Sequence, residues 1–223
     1  MYCLDYVNED SLLISSHSAE DASQLPQLVD YLRQSFPQLS DLILASTSLL
    51  CVCPADVDPS QLSLKVQQFV ATSSSDNTTK TIDIPVCYAT ELAPDLKYVA
   101  NHTGLSPAEV IALHQQGHYQ VKTIGFMPGF AYLQGLSSRL ALPRKANPAS
   151  HVAAGSVAIA ETMTAVYPSQ SPGGWHIIGR SPLKLFNKHQ QPMCPLTVGD
   201  KVRFVEIDYQ QFLALQAQEQ PHG

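Results

Sequence analysis

All 11 glycines of this 223-residue chain fall at or after Gly104, so its first 103 residues must fold without one. Glycine enters the left-handed region at no steric cost and lets one backbone approach another closely. The N-terminal part is therefore held to regular strands and helices joined by turns that L-residues can make, and irregular geometry is concentrated beyond Gly104. Charge divides in the same way. Residues 1–100 carry 4 basic and 13 acidic side chains (−9), and residues 101–223 carry 9 and 6 (+3). The polar run from Ala71 to Lys80, with no apolar anchor after Ala71, reads as the seam between a domain over 1–80 and a second over 81–223.

Before the seam the pattern is strand, strand, helix, strand, strand, helix. Cys3 to Val7 and Ser11 to Ile14 flank the turn-like Asn8-Glu9-Asp10. Ser18 is placed to cap a helix with Glu20 and Asp21 in its first turn, where acids are favoured. Leu25, Leu28, Val29, Leu32 and Phe36 then recur at helical spacing. Leu42–Ala45 and Leu49–Val52 form a hairpin, and a second helix after Asp58-Pro59 carries Leu62, Leu64, Val66, Phe69 and Val70. This is a small α/β sandwich.

After the seam, Thr81 to Tyr88 is strand-like, and Leu96, Val99 and Ala100 predict a short helix ending at Gly104. Ser106-Pro107-Ala108-Glu109 is a capping box opening a helix to about Gln116. Beyond it, short apolar stretches broken by Gly and Pro have the pattern of a β-barrel or sandwich, before a last helical piece over Gln210–Gln218.

Only 14% of residues are charged while 44% are apolar. That excludes a disordered chain, which needs high charge and few hydrophobes. A net charge of −6 argues against nucleic acid as the main partner. No apolar run of about 18 residues is present to span a membrane. Met1 to Asp5 carries an early acid and no basic region, unlike a signal peptide. The five cysteines are odd in number and lack metal-ligand spacing, so they read as free thiols of a cytoplasmic protein.

Residues 125–135, Gly-Phe-Met-Pro-Gly-Phe-Ala-Tyr-Leu-Gln-Gly, force a tight, irregular backbone whose amides can face a ligand, including Gly129. Phe126, Phe130 and Tyr132 either wall a pocket or plug a barrel corner. Arg144 and Lys145 lie beside a turn, and from residue 110 to 199 there is one acid, Glu161, against seven bases. Such a field attracts a small anionic substrate. Ser156 lacks the flanking glycines of a hydrolase elbow and suits hydrogen bonding better than nucleophilic attack. Gly173-Gly174-Trp175 fits a backbone-lined pocket or a plain turn with a core Trp. His114, His118, His151 and His176 show no ligand spacing, so no metal site is expected. Carboxylate scarcity leaves acid–base work to a His or to a partner's residues, the mark of an incomplete active site.

These motifs resemble the family of allophanate hydrolase subunit 1, the 5-oxoprolinase B subunit and the sporulation histidine-kinase inhibitor. The matching run includes Pro94-Asp95-Leu96, Gly104-Leu105-Ser106, Leu113-His114, Gly125 to Leu133, Pro143-Arg144, Ala154 to Val157, Tyr167-Pro168, Pro172 to Trp175, Ile178-Gly179-Arg180 and Gly199-Asp200. The resemblance implies an α+β protein, a ferredoxin-like α/β domain followed by a cyclophilin-like β-barrel. It implies two partners, the C subunit of a 5-oxoprolinase, itself a related barrel protein, and the A subunit of the same enzyme. Together these open 5-oxo-L-proline to L-glutamate using ATP with Mg, and no cofactor is implied for this chain alone. On this reading His114 is catalytic, and Gly129, Phe130, Tyr132, Arg144, Ser156, Tyr167, Gly173, Gly174 and Trp175 bind substrate. The family's other members leave two alternatives, an inhibitor docked on a sensor histidine kinase and a component of an allophanate- or urea-processing carboxyltransferase complex. The family's second Pro-Arg is Pro148-Ala149 here, and its Val-Pro-Ala-Gly-Ser is Val152-Ala153-Ala154-Gly155-Ser156, removing a potential anion contact and some rigidity.

Overall fold

The computed structural model describes residues 2–70 and 80–219. The polar seam over 71–79 lies outside the described residues. The chain separates into two compact units, Met1–Thr78 and Thr79–Gly223.

In the first unit β1 (Tyr2–Asn8) and β2 (Ser11–Ser16) precede α1 (Ala19–Ser35), then β3 (Asp41–Leu44), β4 (Ser48–Val52) and α2 (Pro59–Gln68). The sheet order is β1-β2-β4-β3, and every neighbouring pair is antiparallel. β2 and β3 therefore run parallel with β4 between them, a split β-α-β unit through α1. β1 fills the place beside β2 that the closing strand of a ferredoxin-like sheet takes. Ser18 caps α1, its Oγ accepting from the Asp21 amide at 3.0 Å. Leu25, Leu28 and Leu32 bury one face of that helix against Leu12, Ile14, Leu49 and Cys51. Asp58 caps α2 through the Ser60 amide at 2.8 Å. The helix is shorter than the sequence suggests, since it ends at Gln68 before Phe69 and Val70, and within it Leu62 and Val66 are buried while Leu64 is exposed, as is Val70 beyond it. Leu64 sits two residues from Leu62, about 200° round the helix, and Val70 lies past its end. All five cysteines are free. Burial pushes the Cys51 thiol up to about 12.

The second unit contains β5 (Thr81–Val86), α3 (Leu96–Thr103), α4 (Pro107–Gln116), β6 (Tyr119–Ile124), β7 (Ala131–Gln134), β8 (Ala149–Val152), β9 (Ser156–Ala160), β10 (Met163–Val166), β11 (Ser171–Gly173), β12 (His176–Arg180), β13 (Lys201–Glu206) and α5 (Tyr209–Glu219). Gly104 ends α3 at φ +70°, and the Ser106–Glu109 capping box opens α4 as the sequence predicts. Seven strands form one sheet in the order β12-β9-β10-β7-β6-β13-β5. Its two edges meet just past β5: Cys87 N donates to Arg180 O at 2.8 Å and Arg180 N to Cys87 O at 2.9 Å. The sheet is thus a nearly closed barrel, and its interior holds Ile84, Val121, Leu133, Val157, Ile159, Val166, Ile178 and Phe204. At the seam a Cβ on Gly179 would lie 2.7 Å from Val86 Cγ1 and 3.1 Å from Cys87 O, so only glycine lets the edges close. β8 and β11 form a separate two-stranded sheet. Among the described residues no helix is long and apolar enough to cross a membrane.

Candidate functional site

Every residue of β9 is buried, because the strand is covered on both faces. Val157 and Ile159 point into the barrel, and Ala158 and Ala160 join a second cluster with Phe130, Val152, Ala165, Tyr167, Trp175 and Ile177. The small residues of β9 and β10 leave room for large rings above them. Phe130 is the hub. Its ring meets Tyr132 at 4.9 Å, Tyr167 at 5.1 Å, Phe126 at 5.3 Å and Trp175 at 6.0 Å, all edge-to-face. Four predicted substrate-binding residues, Phe130, Tyr132, Tyr167 and Trp175, are thereby brought together. Phe130, Tyr167 and Trp175 are buried, so their rings are the packed floor of this face, and Tyr132 is half-buried at its margin. Burial also pushes the Tyr167 hydroxyl above its ordinary pKa. Phe126 is 62% exposed and held at φ +72°, a conformation rare for an aromatic residue.

The motif glycines serve close packing. A Cβ on Gly173 would collide with the Tyr167 hydroxyl, so this glycine admits the tyrosine to the floor. Gly129, at φ +81°, approaches Leu185 and Phe186, where a Cβ would lie 2.7 Å from Phe186 Cβ. Gly174 is not tightly confined: a Cβ there would come no closer than 3.6 Å to Pro148 Cγ, and the Gly174 carbonyl accepts from Lys145 N at 2.7 Å.

Both predicted cations are paired. Arg144 Nε lies 3.2 Å from Glu161 Oε1, with both side chains more than half exposed, so the pair can exchange for another anion at little cost. Glu161 is the one acid between 110 and 199. It sits at φ +54°, and its amide donates to Leu142 O at 2.6 Å. Lys145 Nζ is 2.5 Å from Asp95 Oδ2, which also accepts from Ile177 N at 2.7 Å. Ser156 is buried at the start of β9, directly opposite Arg180 in register.

His114 stands elsewhere. Its imidazole is fully buried in the barrel unit, stacked on Phe204 at a centroid distance of 4.4 Å. Thr164 donates its hydroxyl hydrogen to Ala158 O at 2.9 Å, so Thr164 Oγ1 accepts from His114 Nε2 at 3.0 Å. That leaves Nδ1 to accept from the Tyr88 hydroxyl at 2.8 Å. Burial holds the imidazole neutral, with its pKa lowered to about 3. The structure thus places His114, expected to be catalytic, apart from the aromatic face: its ring is buried, both nitrogens are used, and it links α4 to the barrel wall.

Three polar residues matter more here than sequence reasoning allowed. Asp95 anchors both Lys145 and β12. His176 Nε2 faces Pro143 O at 2.9 Å, and because a carbonyl only accepts, the proton sits on Nε2 and Nδ1 is a buried acceptor without a partner. Arg180 Nε is likewise buried without one. Asp95 and Arg180 lie in the matched motifs, and their spacing carried no chemical signal beyond that. Among the described residues no group of three or more His, Cys, Asp or Glu could hold a metal ion. A cleft of about 440 Å³ in the first unit is lined by Tyr2, Leu4, Asp21, Gln24, Val66 and Phe69. Its one carboxylate is engaged by Ser18, so size does not make it the better candidate.

The matches to known proteins reach across both units. A family model described as carboxyltransferase domain, subdomain C and D, matches residues 3–196. A 5-oxoprolinase B subunit of Bacillus subtilis is 48% identical over 133 residues, 60% of this chain and 55% of that protein. The chain thus spans about half the length of that relative. A 5-oxoprolinase B subunit of Haemophilus influenzae is 35% identical over 202 residues, 89% of this chain and 95% of that protein. The crystal structure of TTHA0988 superposes with a TM-score of 0.78 at 32% identity, over 89% of this chain and 40% of that one.

Proposed function

The chain belongs to the carboxyltransferase-domain family of subdomains C and D, and from that premise we propose that it is the B subunit of a 5-oxoprolinase. The observation that carries this is the 35% identity to a named B subunit across nearly the full length of both chains. In this reading the chain works with the A and C subunits to open the ring amide of 5-oxo-L-proline to L-glutamate, with ATP hydrolysis supplying the driving force.

The outer face of β9, β10 and β12 borders the substrate. Tyr132 and Arg144 are its accessible groups, and the rings of Phe130, Tyr167 and Trp175 hold its shape from beneath. Gly129 and Gly173 permit that packing, Gly174 fixes the Lys145 turn, and Ser156 lies in the wall at the start of β9. The two carboxylates beside this face, Glu161 and Asp95, are each already paired with a cation, and His114 is sealed in the core. The missing acid–base group comes from a partner protein. The residues present do not fit an ATP–Mg site: the glycines are not followed by the Lys-Ser or Lys-Thr of a phosphate loop, and among the described residues no acidic cluster stands ready for the metal. Nucleotide binding therefore falls to a partner protein.

The test is co-expression of the chain with the A and C subunits from the same source. The expected result is a stable complex whose ATP hydrolysis depends on 5-oxo-L-proline. A complex that hydrolyses ATP at the same rate with and without 5-oxo-L-proline sinks the reading.

A further inference from the structure

Among the described residues of the barrel unit, Phe126 is the most exposed large apolar side chain, at 62%. It also stands at φ +72°, where glycine or asparagine fits and an aromatic residue is strained. Glycine is close at hand in this loop. Gly125 precedes Phe126, and a Cβ built on Gly125 would meet nothing within 4 Å. The permissive residue therefore lies one position away from the backbone conformation that favours it, and a large ring occupies that conformation. Such strain persists only where surrounding structure enforces it, and it gathers at functional surfaces.

The loop joining β6 to β7 enforces it. Phe130 N donates to Met127 O at 3.1 Å across Pro128 and Gly129, the latter at φ +81°, the pattern of a type II turn. Gly125 N donates to Phe130 O at 3.1 Å and closes the loop. The Phe126 ring meets Phe130 edge-to-face at 5.3 Å, which joins it directly to the aromatic floor of the candidate site. Beside it Met127 is half-buried against the same floor, its Sδ accepting from Ser169 Oγ at 3.3 Å. Phe and Met are enriched at the centres of protein interfaces, and a ring already held in place loses little freedom on docking.

Charge indicates what the partner carries. From residue 110 to 160 the chain has Lys122, Arg139, Arg144 and Lys145 and no acid. Lys122 is exposed on β6, the strand leading into the loop, and has no carboxylate partner among the described residues. Arg144, whose charge reaches the Tyr167 hydroxyl of the floor, is paired only with the exposed Glu161.

We propose that Phe126 anchors a protein interface over the aromatic face, and that its occupant is the partner subunit whose surface offers an apolar socket for this ring and carboxylates for Lys122 and Arg144. The subunit seated here is the one that brings the absent acid–base group to the substrate. The proposal rests on the 5-oxoprolinase reading for the existence of that partner, and on the strained, exposed ring and its unpaired cation for the place where it docks.

The experiment measures the affinity of the full chain for the purified A and C subunits, each offered separately. The wild-type chain binds one of them, and more weakly as salt is raised, since two cations take part. Phe126→Asn raises the Kd about tenfold or more, the loss expected of an interface anchor. Its midpoint in urea unfolding is no lower than that of the wild type, because asparagine suits the left-handed backbone. Phe126→Tyr keeps the ring and stays within about threefold, and Lys122→Gln raises the Kd by about two- to fivefold. Leu213→Gln, on an exposed residue of α5 outside the loop and the aromatic face, stays within about twofold. Binding indifferent to Phe126→Asn overturns the interface and leaves the 5-oxoprolinase reading standing. A loss of affinity matched by a fall in the urea midpoint also overturns it, because the ring then serves the fold. A complex that depends on Phe126 yet does not turn over 5-oxo-L-proline supports the interface and sinks that reading. Failure of the wild-type chain to bind either subunit overturns both.

Discussion

Lowering the pH should destabilise the barrel unit through a single buried side chain, His114. In the folded protein its imidazole takes a proton only near pH 3, because burial removes the charged form from water. In the unfolded chain the same group titrates near pH 6.5. The folded pKa is the lower of the two, so the unfolded state binds more protons through the window between them. The stabilisation is complete above about pH 6.5 and is lost progressively as pH falls toward 3. At pH 5 the loss relative to pH 8 is about 2 kcal/mol, and over the whole window it approaches about 5 kcal/mol. For a unit of this size the pH 5 figure corresponds to a fall of about 4–8 °C in Tm. The hydrogen bonds agree in direction, since a proton on Nδ1 would face the Tyr88 hydroxyl, which now donates to that atom. The assay is urea unfolding at pH 5, 6 and 8 followed by Trp175, the one tryptophan, which is buried in this unit. His114→Gln keeps neutral polar groups and cannot titrate, so it should be less stable overall yet flatter in pH dependence by about 2 kcal/mol between pH 8 and 5. A variant as steep as the wild type would refute the assignment of this pH dependence to His114.

Gly179→Ala should lower stability by about 1–3 kcal/mol in urea titrations, because the methyl meets Val86 and Cys87 at the barrel seam, whereas Gly174→Ala, with nearest neighbours at 3.6 Å, should change it by less than about 0.5 kcal/mol. Equal effects would show that the seam is not tight. Asp95→Ala strands Lys145 and the Ile177 amide together and should cost about 1–3 kcal/mol, and Asp95→Asn, which can still accept from that amide, should recover part of the loss in the same titration. Alkylation at pH 8 followed by mass spectrometry should modify the half-buried Cys3 well before Cys51, whose thiol is held protonated up to about 12.

Local signals in the chain were legible wherever one residue's geometry decides the outcome. Ser18, Asp58 and Ser106 cap helices as their side chains require, and Gly104 ends one at positive φ. The leucine spacing of α1 gave its buried face, but near α2 Leu64 turns away from the face of Leu62 and Val66, and Val70 lies past a helix end that spacing does not mark. The candidate site was legible as a set of residues and not as an arrangement. Motif order brought Phe130, Tyr132, Tyr167 and Trp175 to attention, and only the fold shows that three of these rings are buried. His114 could not be told from an acid–base group in one dimension, because its burial depends on Tyr88, Thr164 and Phe204, all distant in sequence. Arg144 and Arg180 look alike as letters. Pairing with Glu161 across 17 residues separates them, and that contact exists only once β9 and β10 turn back on each other.

Whether this chain completes an enzyme that opens 5-oxo-L-proline is decided by the L-glutamate formed from 5-oxo-L-proline and ATP by the A and C subunits, with and without the purified chain. Glutamate should appear only when the chain is present, matched by the phosphate released. Glutamate formed equally well in its absence, or none formed by the complete mixture, would contradict the assignment.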